Sequence, residues 1–301
     1  MTVNKDDIRG IMPPAVTPFG SDDSVDEEAY RRDLRFMLEV GVQGLVCGGS
    51  TGEGATLSLD EARRLYSITA TEAAGKVPAI AGVIANSTVD AVAKAQAAKE
   101  AGMDAVMVTP TYYPANLWDD EGLVEYYQDV WEKGGLPIII YNVLEHAPVR
   151  PEVLPRLADI PGLIGVKESS GGSLQTLTEI IDLVGDRLAV TWAYDPIMMP
   201  GYAVGAVGAI SAINTILPEL CLLQWQAMER GDLEEARRTH FRLHKVTQHI
   251  KTPNWSSRIK EAINLQGRTA GKARSPQRPV TTEESEALAQ GLREAGVLVR
   301  A

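Results

Sequence analysis

Apolar, β-rich runs alternate along this chain with longer stretches of helical period. The runs fall at residues 10–16, 44–47, 78–83, 105–109, 137–142, 163–167, 188–192 and 207–211. They are continuous rather than alternating, the pattern of strands buried on both faces. Between them the helical period covers residues 26–40, a segment opening at Ser58-Leu59-Asp60-Glu61, and residues 87–101, 119–133 and 173–184. The Ser58–Glu61 tetrapeptide reads as a capping box, in which a hydroxyl and a carboxylate satisfy free amides at a helix start. Gly41, Gly102, Gly134 and Gly185 stand where these helices stop and are expected to supply left-handed caps. Alternation of this kind predicts a parallel sheet.

Eight strands, each followed by a helix, give the α/β count of a (β/α)8 TIM barrel. The competing doubly wound sheet would place a Gly-x-Gly-x-x-Gly turn after its first strand. Here that strand leads into Thr17-Pro18-Phe19-Gly20, and no Walker loop occurs. Three further helical stretches follow at residues 233–252, 256–265 and 282–295, with a Pro/Gly/basic connector at 267–279. The predicted organisation is a barrel over residues 1–230 and a C-terminal helical appendix over 231–301 packed on it.

Composition narrows the chemistry. The 301 residues are 45% hydrophobic and 23% charged, with a net charge of -11 and a pI near 5.0. That acidity argues against nucleic acid or an anionic membrane surface as a partner, and an anionic substrate would need local donors. No apolar run is long enough for a transmembrane helix, and residues 1–10 lack the apolar stretch of a signal peptide. Cys47 and Cys221 lie in apolar surroundings and read as small buried hydrophobes in a reducing, cytoplasmic setting. The histidines are His146, His240, His244 and His249, without metal-ligand clustering. His240 and His244 have helical spacing but lack His-Glu-x-x-His, and read as a solvated helix face.

The candidate chemistry lies at the strand ends, which in a barrel share one face. The sixth run, Leu163-Ile164-Gly165-Val166, ends in Lys167, followed by the polar loop Glu168-Ser169-Ser170-Gly171-Gly172. A lysine at a buried strand tip can simply emerge into solvent. Desolvated, it supplies a neutral amine for Schiff-base chemistry on a carbonyl. The second run ends in Gly48-Gly49-Ser50-Thr51-Gly52-Glu53-Gly54, a loop able to turn amides and hydroxyls toward a carboxylate or phosphate. The fourth ends in Thr109-Pro110-Thr111-Tyr112-Tyr113-Pro114, the fifth in Tyr141-Asn142 and the eighth in Ser211.

Taken in order, Gly49-Ser50-Thr51-Gly52-Glu53, Thr109-Pro110-x-Tyr112-Tyr113-Pro114, Tyr141-Asn142-Val143 and Gly165-Val166-Lys167-Glu168-Ser169 resemble the dihydrodipicolinate synthase / N-acetylneuraminate lyase family of class I aldolases. The resemblance spans nearly the whole chain. It implies that Lys167 forms an imine with pyruvate or a related 2-keto acid, so that a bond at C3 is made or broken with an aldehyde. It further implies Tyr141 as general acid/base, Ser50 and Thr51 as carboxylate ligands, and Thr51 as a link from Tyr141 to Tyr112 or Tyr113. One tyrosine of that pair would come from a neighbouring subunit, implying a homodimer or homotetramer, and no cofactor or metal is required.

The chain also departs from its relatives. Synthases of the family follow Tyr-Asn-Val with Pro-x-Arg, whose arginine holds the carboxylate of aspartate semialdehyde. Here Leu144 replaces the proline and His146 the arginine, with Arg150 four residues on. The lyase branch carries Gly-Tyr-Asp-Glu after the seventh strand. Here Ala193-Tyr194-Asp195-Pro196 keeps the aspartate and loses the glutamate. Ser211 and Ser169 match hydroxyl positions of the lyases. Asp195 also reads as a helix N-cap before Pro196. A polar aldehyde is therefore expected, with specificity at Glu145 and His146. A synthase with a modified carboxylate site, a 2-keto-3-deoxy acid dehydratase or deaminase using the same imine, and a non-catalytic binding protein remain as alternatives.

Overall fold

The computed structural model describes residues 3–113 and 118–300. Pro114, which closes the tyrosine motif, lies outside the described residues. The strands are β1 (Gly10–Ile11), β2 (Leu45–Cys47), β3 (Ala79–Val83), β4 (Ala105–Val108), β5 (Ile138–Asn142), β6 (Leu163–Glu168), β7 (Ala189–Trp192) and β8 (Gly208–Ala209). They form one parallel sheet in the order β1-β8-β7-β6-β5-β4-β3-β2. A bridge between Pro14 and Val46 joins the two ends. There the Ala15 amide donates to the Val46 carbonyl at 2.7 Å, and the Val46 amide to Pro13 at 3.1 Å. The sheet therefore closes as the expected TIM barrel.

β1 is shorter than the apolar run around it because Pro13 and Pro14 have no amide to donate. Along each strand, side chains alternate between two cores. Met12, Val46, Ile80, Met107, Ile139, Tyr141 and Ile210 fill the barrel. Ile138, Ile140, Val106 and Val166 point outward under the helices. This double burial explains why the strands read as unbroken apolar runs.

The helices are α1 (Glu27–Val40), α2 (Leu59–Ala73), α3 (Thr88–Glu100), α4 (Asp120–Gly134), α5 (Leu154–Leu157), α6 (Leu174–Val184), α7 (Met198–Ala203), α8 (Ala212–Ile216), α9 (Pro218–Glu229), α10 (Leu233–Thr247), α11 (Trp255–Asn264) and α12 (Thr282–Glu294). The capping box at Ser58 forms as expected. Two expected caps differ. Gly134 is the last residue of α4, and Gly135, at φ +73°, takes the left-handed turn. Gly185 ends α6 at φ −65°, without a left-handed turn.

A third difference bears on function. α10 stops at Thr247 rather than running to residue 252, so residues 248–254 form a connector at the barrel mouth. α10 packs on α9 and α12, and α11 on α12 and α8. Among the described residues, no helix is long and apolar enough to cross a membrane.

Candidate active site

Strand register places the chemistry. Tyr141 of β5 pairs with Lys167 of β6, and Asn142 with Glu168. Because side chains alternate, Tyr141 and Lys167 project into the barrel while Asn142 and Glu168 project outward. Lys167 is only 5% exposed. Its ammonium nitrogen lies 4.1 Å from the centroid of the Tyr141 ring. Burial acts to raise the Tyr141 phenol, but the Lys167 charge and two contacts from Ser50 outweigh it and leave the phenol below its ordinary value.

The Gly48–Gly54 loop brings in the second group. The Tyr141 hydroxyl donates to the Ser50 Oγ at 3.0 Å and accepts from the Ser50 amide at 3.1 Å. The loop closes on itself through Glu53 N–H to Ser50 at 3.0 Å and Gly54 N–H to Gly49 at 2.9 Å. A Cβ on Gly54 would stand 1.8 Å from the Gly48 carbonyl oxygen, so this turn admits only glycine there. Thr51 is buried beside the cavity and, among the described residues, its hydroxyl forms no hydrogen bond within the chain. The bridge expected from Thr51 to Tyr141 is not formed, because Ser50 occupies the phenol.

Ser50, Thr51, Tyr141, Lys167, Ser169, Asp195 and Ser211 all border one cavity of about 550 Å3. Asp195 accepts from the Ser211 hydroxyl, and from the Ile213 amide at 3.3 Å. It caps no helix of its own: Tyr194 stands at the cap of the short turn that Asp195 opens. The N-cap expectation is thus corrected, its carboxylate being drawn instead to the start of α8. Burial raises the Asp195 carboxyl above its usual range, against the opposing pull of Ser211, Ile213 and Lys167.

Three expected residues stand elsewhere. His146 is exposed and is absent from the residues bordering the cavity. A turn from Leu144 to Ala147 puts Glu145 and His146 at its tip, while Ala147 and Val149 are drawn into the core. Of the two, Glu145 alone borders the cavity. Tyr112 lines a smaller adjoining cavity of about 320 Å3, which Ser50, Val143 and Trp255 also border. Tyr113 is 76% exposed, and its amide, like that of Tyr112, is held at 2.9 Å by the Asn86 side chain. Arg150 does not enter either: it pairs with Asp120 on the outer surface.

Two features escaped the sequence reading. Outside the barrel wall, Asn142 donates to both Glu168 and the Val149 carbonyl and accepts from the Val149 amide, tying the loop after β5 to β6. Glu168 is fully buried, and burial pushes its carboxyl up to about 7 against contacts from Ser170 and Asn142. In addition, Gln248, Lys251 and Trp255 reach the cavity from the connector and α11. No local motif marks these three. Cys47 and Cys221 are buried and free, as expected, with the Cys47 thiol pushed up to about 12 by burial.

Comparison with known proteins gives a consistent placement. Residues 7–295 match the dihydrodipicolinate synthetase family. A 4-hydroxy-tetrahydrodipicolinate synthase of Methanothrix thermoacetophila is 33% identical over 91% of this chain and 92% of its own. One from Methanopyrus kandleri is 34% identical over 97% of both. The crystal structure of dihydrodipicolinate synthase from Aquifex aeolicus superposes with a TM-score of 0.91 at 27% identity, covering 98% of this chain and 100% of that one. YagE of E. coli, solved in complex with pyruvate, gives 0.91 at 26% identity over 97% and 99%. With its eight-stranded barrel, its strand-end lysine and a family match running almost end to end, the chain belongs to the dihydrodipicolinate synthetase family.

Proposed function

We propose that this protein is a class I lyase that joins pyruvate, or a related 2-keto acid, to an aldehyde through an imine at Lys167, or runs the same reaction backward. The observation that carries this reading is the buried Lys167 amine set 4.1 Å over the Tyr141 ring, at the floor of a cavity bordered by Thr51. The amine adds to the keto carbon and water leaves. The cationic imine then loses a C3 proton to give an enamine. C3 of the enamine attacks the aldehyde carbon while the aldehyde oxygen takes up a proton. Hydrolysis of the new imine returns the Lys167 amine and releases a 4-hydroxy-2-keto acid.

Tyr141 moves the protons at the carbinolamine and at the aldehyde oxygen. Its lowered phenol suits that role, and Ser50 is its hydrogen-bonded partner. Thr51, free of internal bonds, holds the 2-keto acid carboxylate with the loop amides. Ser169, Asp195 and Ser211 face the second substrate. Tyr113, exposed on the single chain, is left for a second copy, consistent with a homodimer that pairs into a homotetramer in the cytoplasm. Tyr112 beside Ser50 then completes the proton path.

A second reading, 4-hydroxy-tetrahydrodipicolinate synthase itself, is favoured by the names of the relatives. Turnover with aspartate semialdehyde distinguishes it. For the shared imine step, incubation with pyruvate followed by borohydride should add the mass of pyruvic acid less one oxygen. Lys167→Ala should abolish that gain. Its persistence in the variant, or its absence in the wild type, rejects the reading.

A further inference from the structure

β5, β6 and β7 end side by side at the mouth of the barrel, at Asn142, Glu168 and Trp192. The ladder pairs Tyr141 with Lys167 and runs one rung further, where Asn142 meets Glu168 and Glu168 meets Trp192. The Asn142 carbonyl then accepts from the Ser169 amide at 2.9 Å, and the Glu168 carbonyl from the Ala193 amide at 3.0 Å. Beyond that rung the chain leaves the sheet in three loops. Each contributes to the cavity: Val143 and Glu145 after β5, Ser169 after β6, Ala193 after β7. The ladder and Ser50 fix the Lys167–Tyr141 pair, but the ladder stops short of these loops.

Two side chains carry the hold outward. Asn142 and Glu168 are both fully buried. The Asn142 Nδ2 donates to Glu168 at 2.5 Å and to the Val149 carbonyl at 3.0 Å, while its Oδ1 accepts from the Val149 amide at 2.8 Å. The other Glu168 oxygen accepts from the Ser170 amide at 2.6 Å and the Ser170 hydroxyl at 2.7 Å. Val149 fixes which way the Asn142 amide points, because turning it over would set donor against donor and acceptor against acceptor. Two immovable N–H donors therefore face the two oxygens of Glu168. A carboxylate meets both. A neutral acid does as well, since the Ser170 hydroxyl can reverse and accept its proton. An amide cannot, because it turns one acceptor into a donor and strands a buried N–H. A buried network with every member satisfied rigidifies its surroundings and specifies one arrangement.

Resting on the imine at Lys167, we propose that Asn142 and Glu168 are positioning residues for the second substrate: their clamp holds the loops after β5 and β6 in the arrangement that binds the aldehyde, and capture of the 2-keto acid does not depend on it. Val149, held at both its backbone groups, draws the loop after β5 back onto Asn142. That return leaves Glu145 on the cavity wall and His146 exposed outside it. Ser170, held by Glu168, does the same for the loop that carries Ser169. Without the clamp the loops take up open arrangements, and apparent affinity for the aldehyde falls in proportion to the fraction still closed. Lys167 and Tyr141 keep their places through the ladder.

The test compares Glu168→Gln with the double variant Asn142→Asp/Glu168→Gln, in which the polarity of the link is reversed: the amide donates and the new carboxylate accepts. Pyruvate consumption is followed with glyceraldehyde or aspartate semialdehyde, whichever the wild type uses better. For Glu168→Gln the aldehyde KM should rise roughly 5–100-fold, the range set by one stranded buried donor. Turnover number and borohydride-trapped imine should stay within about twofold, as expected when only binding of the second substrate is lost. Amide hydrogen exchange should quicken over residues 143–150 and 169–173 while β5 and β6 stay protected. The double variant should recover about threefold or more of the lost affinity, the worth of one restored hydrogen bond. Should Glu168→Gln not fold, Ser170→Ala removes a single contact and should show the same split at about 2–5-fold. Equal losses in kcat and KM, or an unchanged aldehyde KM, would overturn the proposal. A wild type that traps no pyruvate, or traps it and uses neither aldehyde, would instead reject the two-substrate reading beneath it, and the proposal with it.

Discussion

Replacing Lys260 with methionine is expected to destabilise the protein far more than its distance from Lys167 suggests. Lys260 of α11 is 1% exposed and its ammonium lies 2.6 Å from Glu53, itself 2% exposed, in the loop that carries Ser50 and Thr51. It also donates to the Thr17 and Lys272 carbonyls, each at 2.6 Å, and sits 4.4 Å over the Phe19 ring. At the 2.6 Å between the Lys260 and Glu53 charges, the gross attraction is about 6 kcal/mol for an effective dielectric near 20. Most of it offsets the cost of taking two ions out of water. Methionine keeps the length of the side chain and removes the charge, leaving Glu53 buried with, among the described residues, the Arg274 amide at 2.9 Å as its hydrogen-bond donor. Removing one partner of such a pair costs about 3–5 kcal/mol.

For a chain of 301 residues, each kcal/mol corresponds to about 1.6 °C, so the midpoint should fall by about 5–8 °C. Adding Glu53→Gln to Lys260→Met removes the stranded charge and should recover about 2 kcal/mol. Thermal and urea unfolding followed by circular dichroism, at one protein concentration, read both values. A loss under about 1 kcal/mol for the single variant, or no recovery in the double, would refute the idea that this pair locks the helical appendix to the Ser50 loop.

Two other outcomes follow from the geometry. Tyr141→Phe should still trap pyruvate under borohydride yet lose about 10²–10⁴-fold in turnover, as for a lost acid/base, and near wild-type turnover would reject that role. Glu168 binds its proton more tightly when folded, so its stabilising contribution is full below about pH 4.5 and is lost as the pH rises to about 7. Each unit is worth about 1.4 kcal/mol, so the stability of the wild type relative to Glu168→Gln should fall by roughly 3 kcal/mol across that window. A pH-independent difference in urea titrations would show that the buried carboxyl does not titrate there.

Much of the fold was legible in the sequence because it is written in local periodicity. Unbroken apolar runs report strands buried on two faces, and each of the eight predicted runs coincides in place with one strand of the sheet, β6 running one residue further to Glu168. Their ends were less legible. Nothing local distinguishes Gly134 from Gly135 as the residue that turns left-handed, and the polar pattern of α10 runs on past the point where the helix stops. The same holds for the site. Lys167, Tyr141, Ser50, Thr51, Ser169, Asp195 and Ser211 were expected together and do border one cavity. His146 was expected beside them and is turned outward by the turn at Leu144–Ala147.

The sequence by itself determined that this is a parallel barrel and that its lysine and tyrosine share a rim, because parallel strands must present their C-terminal ends on one face. Only the tertiary structure decided which charges meet across that rim. Glu53 finds Lys260, Asp195 finds Ser211, Arg150 is drawn away to Asp120, and Lys251 is left, among the described residues, without a partner. The three pairings each join different elements of the fold, and no local spacing encodes a distance that exists only once those elements have packed.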